Sequence, residues 1–401
     1  MLRIRVRLLV AGLMCVGLLG AFFASSSGAA SSASAKVTYK NLSYKDFNLS
    51  YSAMRALVPL ASKGTGSVAV ILPDTTSSTR YTEFDAPMLQ VALEDAGLKA
   101  SQIIIQNGQG SDSTFITDVQ ADITAGAKVI AIDPEDSATG DKAEQLAAAA
   151  GVKTIDYDRL TLGGETSNTY YVSFNNTYVG TLLGKGLVSC VKSWKVKSPK
   201  VIVMRGSPTD NNATLCANGY LAVLHPLFKK GTYKELAQPA GTWDPPTAET
   251  EFQQAFTANP SANALLSPND ENAAPIITYL KTQGVKPYTF PVTGQDATLV
   301  GIQNIISGYQ CGTVYKPIYL EAQAAAALAM YLRANITPPK TLLNATTEDT
   351  VSNYAVPSIL ETPEWVTPTT VEKTIVADQF VPASQICAGG YYVDCKRYKI
   401  H

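Results

Sequence analysis

Residues 128–160 read "KVIAIDPEDSATGDKAEQLAAAAGVKTIDYDRL", and their reading decides the fold. Two short apolar runs, 128–132 and 152–155, flank the small-residue segment "AEQLAAAAG". Each run is apolar on successive residues, as in a strand buried on both faces, rather than alternating as a half-exposed strand would. A strand, a helix and a second strand in this order form a parallel pair with the helix crossing over. Each run is also followed by charge: Asp133 after the first, the adjacent Asp158 and Arg159 after the second.

The same alternation extends outward from Gly66. Further strand-like runs are 67–72, 102–106, 170–174, 200–204, 263–266 and 289–293, with helical stretches such as "APMLQVALEDAGL", "TYVGTLLGKGLVSCVKSW" and "LEAQAAAALAMYLRA" between or after them. The expected class is α/β, with parallel sheets covered by helices on both faces. Residues 36–65 precede the pattern as an extension with one short helix near "SAMRALVPLASKG". Polar residues recur where runs end: Asp74, Asp133, Asp158-Arg159, Asn175-Asn176, "RGSPTDNN" (205–212), Asn269-Asp270 and Gln295-Asp296. Asp and Asn also cap helices. In open α/β sheets, however, ligands bind outside the carboxyl ends of the strands. So many such positions point to a polar crevice, spread over enough chain to need two sheets.

Composition narrows the class. The chain has 401 residues, 46% of them hydrophobic and 16% charged, with 32 basic against 33 acidic residues. A net charge of −1 without a long Lys/Arg block argues against nucleic acid as a partner. Arg3, Arg5 and Arg7, an apolar run from Leu8 to Ala24, and Ala33-Ser34-Ala35 before Lys36 have the layout of a signal peptide spanning 1–35. An uncleaved anchor is the alternative, because the run approaches the ~20 residues a membrane span needs. Cys15 in "GLMC" lacks the small residue expected before a lipidated cysteine. Export permits disulfides. Cys387 and Cys395 would staple the tail "CAGGYYVDC". Cys190 and Cys216, in consecutive helices, are candidates for a second pair, leaving Cys311 odd. Buried thiols throughout are the alternative.

The residue types exclude several chemistries. His225 and His401 are the only histidines, no Cys/His grouping suggests a metal, and neither a G-x-S-x-G elbow nor a Walker loop occurs. No cofactor is expected. Asp, Asn and Arg together suit a neutral polyhydroxylated ligand, because each sugar hydroxyl both donates and accepts. An aromatic ring would cover the C–H face of a pyranose. An adjacent Asp158 and Arg159 would let the charges of such a site cancel.

The segments "IDYDR", "YYVSFNNTYVG", "RGSPTDNNA", "SPNDENAA", "TGQDATLVGIQ" and "GTVYKP" resemble the type I periplasmic sugar-binding proteins of ABC importers, most of all the D-xylose-binding subgroup. The resemblance implies two Rossmann-like lobes joined by a three-stranded hinge, with a monosaccharide held between them. Residues 66–172 plus 298–338 would form the N-terminal lobe, and 173–297 plus 339–401 the C-terminal one. It implies sugar contacts from Arg80 and Tyr81, from Asp158 and Arg159, and from Asp210 and Asn212. Trp243 would be the stacking platform, with Asn269, Asp296 and Lys316 completing the set. It also implies a monomer on the outer side of the cell membrane, delivering xylose or a related aldose to an ABC permease. Two alternatives share the sequence features: a sensor acting on a chemoreceptor or kinase, and a glycoside hydrolase using Asp158 and Asp296. The hydrolase needs its two carboxyls about 5–5.5 Å or ~6.5–9.5 Å apart.

Overall fold

The computed structural model describes residues 36–164 and 169–401. The signal-peptide reading, its cleavage point and Cys15 lie outside the described residues. The strands are β1 (Ser67–Leu72), β2 (Ile103–Asn107), β3 (Ala127–Ile132), β4 (Lys153–Tyr157), β5 (Thr169–Phe174), β6 (Lys200–Val203), β7 (Lys234–Ala237), β8 (Ala264–Leu266), β9 (Thr313–Tyr315), β10 (Ala345–Asp349), β11 (Tyr354–Glu361) and β12 (Glu364–Val366).

The first lobe holds a seven-stranded sheet of order β10-β11-β5-β4-β3-β1-β2. It is parallel except for the antiparallel β10–β11 hairpin. One face is covered by helices Asp112–Thr124 and Ser137–Ala149. The other is covered by helices Ala86–Asp95 and Ile318–Arg333 and by the N-terminal extension, which buries Leu42, Met54, Leu57 and Leu60. Helix Ile318–Arg333 is buried along most of its length, and its run of alanines leaves little side chain between it and the sheet. The second lobe is built on β7-β6-β8, all parallel. Single bridges Leu265–Val292 and Gln295–Val314 carry the pairing onward to the antiparallel pair β9–β12. The run expected at 289–293 thus contributes a bridge rather than a full strand.

The chain passes between lobes after β5, after β9 and after β11, which is the three-crossing plan of the type I periplasmic-binding fold. The packing divides the chain differently from the expected boundaries in two places. Helix Leu299–Ile306 buries Ile302 and Ile306 in the second lobe's core. Hairpin β10–β11 extends the first lobe's sheet from the edge of β5.

The cysteine pairing needs correction. Cys190 bonds Cys311, Cys387 bonds Cys395, and Cys216 is a buried free thiol. Helices Asn176–Ser193 and Asn211–Lys229 do pack together, but side by side and in the same direction. A Cβ on Gly180 would lie 1.9 Å from the Cys216 carbonyl oxygen, and one on Gly184 would lie 3.1 Å from the Tyr220 backbone. Cys190 therefore stands ten residues past the level of Cys216, ~15 Å along the axis at 1.5 Å per residue. Cys311, just before β9, reaches it instead.

Candidate functional site

A cavity lies at the carboxyl ends of the strands, between the lobes. Nine of the ten expected residues line it: Tyr81, Asp158, Arg159, Asp210, Asn212, Trp243, Asn269, Asp296 and Lys316.

Asp158 and Arg159 owe their placement to a turn. β4 ends at Tyr157, and Asp158 takes φ +57°, a left-handed conformation that Asp tolerates better than most residues. Its carbonyl is then fastened by three donors: Tyr171 Oη at 2.9 Å, Ser173 Oγ at 2.8 Å and Asn212 Nδ2 at 2.8 Å. The Asp158 carboxylate accepts from Arg80 Nη1 at 3.1 Å and from Tyr81 Oη at 2.9 Å. Burial pushes this carboxyl up, but Arg80, with Lys316 and Arg159, outweighs it and holds the pKa at about 2. Arg159 is steadied from the other side by the Pro134 carbonyl at 3.0 Å and by Glu135 at 3.3 Å. Its Nε stands 3.6 Å from Asp133 and 3.7 Å from Asp210.

The second lobe supplies the opposing wall. Asp210 caps its helix through Asn212 N at 2.8 Å, and its other oxygen accepts from Trp243 Nε1 at 2.9 Å. Capping and lining the cavity are compatible roles for one carboxylate. The Trp243 ring lies so close to Gly206 that a Cβ there would approach Cζ2 to 2.2 Å. Lys316 pairs with Asp296 at 2.9 Å; burial opposes its charge, but the carboxylate keeps its pKa above that of a free lysine. Three carboxylates (Asp158, Asp210, Asp296) thus face two cations (Arg159, Lys316) across the cavity. Bonds across the cleft run from Ser78 Oγ to Asp296 at 3.0 Å, from Asn269 Nδ2 to the Ser77 carbonyl at 3.0 Å, and from Thr79 N to Glu271 at 2.9 Å.

Arg80 is the tenth expected residue, and it is not on the wall. It is 1% exposed and stands behind Asp158, bonding Asp85 at 2.6 and 2.9 Å and Glu321 at 2.5 Å. Ser77, Ser78, Asn176, Cys216 and Gln295 line the cavity without having been singled out as contacts. Asn176 and Gln295 stand at run ends and were legible there. The two serines lie in a loop whose course the sequence does not show. Cys216 is brought in by the helix beginning after Asp210. Among the described residues, no group of three or more His, Cys, Asp or Glu side chains is arranged to hold a metal ion.

A family model described as a periplasmic binding protein domain matches residues 68–335. The chain is 33% identical over 290 residues to the D-xylose-binding periplasmic protein of Escherichia coli (strain K12), covering 71% of this chain and 83% of that one. It is 30% identical over 346 residues to the multiple sugar-binding periplasmic receptor ChvE of Rhizobium radiobacter, covering 82% of this chain and 95% of the relative. A solved carbohydrate transporter solute binding protein from Chloroflexus aurantiacus, in complex with D-glucose, superposes with TM-score 0.70 at 28% identity, covering 80% of this chain and 98% of its own. The chain belongs to the periplasmic binding protein family.

Proposed function

We propose that, as a member of this family, the protein captures a monosaccharide, D-xylose or a related aldose, between its lobes on the outer side of the cell membrane. It then delivers the sugar, as a monomer, to an ABC permease. The observation that carries this reading is the cavity wall itself, in which carboxylates, amides, Arg159 and Lys316 face one another beside the indole of Trp243. Carboxylates accept from sugar hydroxyls, Arg and Lys donate to them, and Asn does both. A hydrogen bond to a charged partner contributes ~1.5–3 kcal/mol, so a sugar missing one hydroxyl is rejected by an unmatched side chain. Ligand contacts made with both lobes favour the arrangement in which the lobes meet, so binding and closure are one equilibrium. The two disulfides suit an oxidising compartment. A hydrolase with Asp158 as its acid is disfavoured, because a carboxyl held at about 2 is ionised at neutral pH and has no proton to give.

Calorimetry against a panel of pentoses and hexoses tests the reading, and a panel in which no monosaccharide binds refutes it. Asp158→Ala and Arg159→Ala are each expected to lower affinity at least a hundredfold while the protein stays folded by circular dichroism. Normal binding by both variants would show that the pair does not touch the ligand.

A further inference from the structure

Beside the inner cavity lies a second, more open one, and the two share Ser77 and Trp243 as walls. We propose that this vestibule is a second sugar subsite, so that the protein accepts a neutral disaccharide with one ring in the inner cavity and the other in the vestibule. The inference rests on the sugar reading of the inner cavity and extends it.

Both lobes build the vestibule. Asp112 and Asp136 come from the first, Thr209, Thr242 and Asp244 from the second. A ligand there would therefore add contacts on each side of the cleft. The wall is made of carboxylates, hydroxyls and the indole, which are the groups that serve a sugar ring. None of its lining residues is Lys, Arg or His. Three helix N-termini face this region, yet each is already served: Ser111 Oγ accepts from Thr114 N at 3.3 Å, and carboxylates cap the other two. Asp136 Oδ1 accepts from Thr139 N at 2.8 Å, and Asp244 Oδ2 accepts from Thr247 N at 3.0 Å. Those termini are not free to hold an anion, while each carboxylate retains a second oxygen for a hydroxyl. A sugar phosphate or a uronic acid would meet like charge, so the second unit is a neutral sugar. Glu135 couples the two rooms: it lines the vestibule and stands 3.3 Å from Arg159 Nη1, whose side chain lines the inner cavity.

The test is calorimetry on the full chain with D-xylose, D-glucose, xylobiose, cellobiose, maltose and cellobiouronic acid. At least one neutral disaccharide is expected to bind within tenfold of its parent monosaccharide or more tightly, and the uronic acid at least tenfold more weakly than cellobiose. Asp112→Trp, an exposed change on the vestibule side only, is expected to weaken that disaccharide tenfold or more while changing the monosaccharide Kd less than threefold. Thr209→Trp, on the opposite lobe, is expected to do the same and covers the case in which the first variant folds poorly. If monosaccharides bind but every disaccharide is more than tenfold weaker, or if both variants treat the two ligands alike, the vestibule is no subsite and the monosaccharide reading stands. If no sugar binds at all, the reading of the inner cavity fails first and this inference with it.

Discussion

Replacing Arg80 with methionine removes one guanidinium from among three buried carboxylates. Asp85 is bonded twice, at 2.6 and 2.9 Å, Asp158 at 3.1 Å and Glu321 at 2.5 Å, all nearly inaccessible to water. Removing one partner of a buried ion pair typically costs about 3–5 kcal/mol, because a charge is left without compensation. A second route gives a similar scale. Asp158 falls from 3.8 to about 2 against the opposing push of burial, with Arg80 the largest of the attractive causes. At ~1.4 kcal/mol per pKa unit, that shift alone corresponds to about 2 kcal/mol. Because the folded pKa is depressed, this stability is present above the unfolded value near pH 4 and is lost as pH falls through about 2. Glu321 behaves oppositely: burial holds its pKa well above the usual carboxylate range, which favours its neutral form. In the variant, Asp158 must take up a proton to remain buried, and a proton bound on folding makes the variant ~1.4 kcal/mol less unstable per pH unit of acidification. Urea unfolding followed by tryptophan fluorescence should therefore show a loss of about 3–5 kcal/mol at pH 7.5. Between pH 7.5 and 5.5 that loss should shrink by roughly 1–3 kcal/mol. Arg80→Lys restores the charge without the planar fork and should recover only part. A loss under ~1 kcal/mol, or one that does not change with pH, would refute the account of Arg80 as the counter-charge that sets Asp158.

Three further outcomes follow from the geometry. Gly206→Ala places a Cβ 2.2 Å from Trp243 Cζ2 and should push the indole out of place; sugar affinity should fall at least tenfold by calorimetry while Tm moves by only a few degrees. Cys190→Ser opens a loop of 121 residues and Cys395→Ser one of 8, for which chain entropy predicts losses of ~5 and ~2 kcal/mol respectively, to be compared by scanning calorimetry. Burial pushes the Cys216 thiol up to about 12, so a chain beginning at Lys36 should resist iodoacetamide at pH 8 when native and take up one equivalent in urea without reductant.

Much of the fold was legible because parallel strands buried on both faces write themselves as continuous apolar runs. β1 spans the expected 67–72, and β3, β4 and β5 fall within two residues of their expected limits. The segments that went unread are those whose pairing is settled by distant partners. β7, with the sequence "KELA", carries no apolar run. β10 and β11 include Pro357 and alternating exposure, because they form the open edge of the sheet. β9 and β12 are three residues each, and their pairing is set by one another and by the single bridge from Gln295 to Val314. Cys311 lies at the hinge, so its partner could be found only after the hinge itself was placed.

The site was more legible than the lobe boundaries, for a topological reason. A residue following a strand must emerge at that strand's carboxyl end, so Asp158, Asp210, Asn269 and Asp296 could be placed without knowing how the lobes pack. Arg80 shows where that logic ends. It lies eight residues past β1, after an Asx turn at Asp74 and immediately before a π-helical turn at Tyr81–Asp85. In that turn, adjacent side chains point in different directions. Tyr81 faces the cavity, whereas Arg80 faces Asp85 within the same segment and Glu321 on the helix that follows the second crossing. Its role is fixed by a carboxylate 241 residues away. Adjacency in sequence therefore gave Arg80 and Tyr81 the same expected role, whereas the structure makes Tyr81 part of the wall and Arg80 the charge that holds Asp158 ionised behind it.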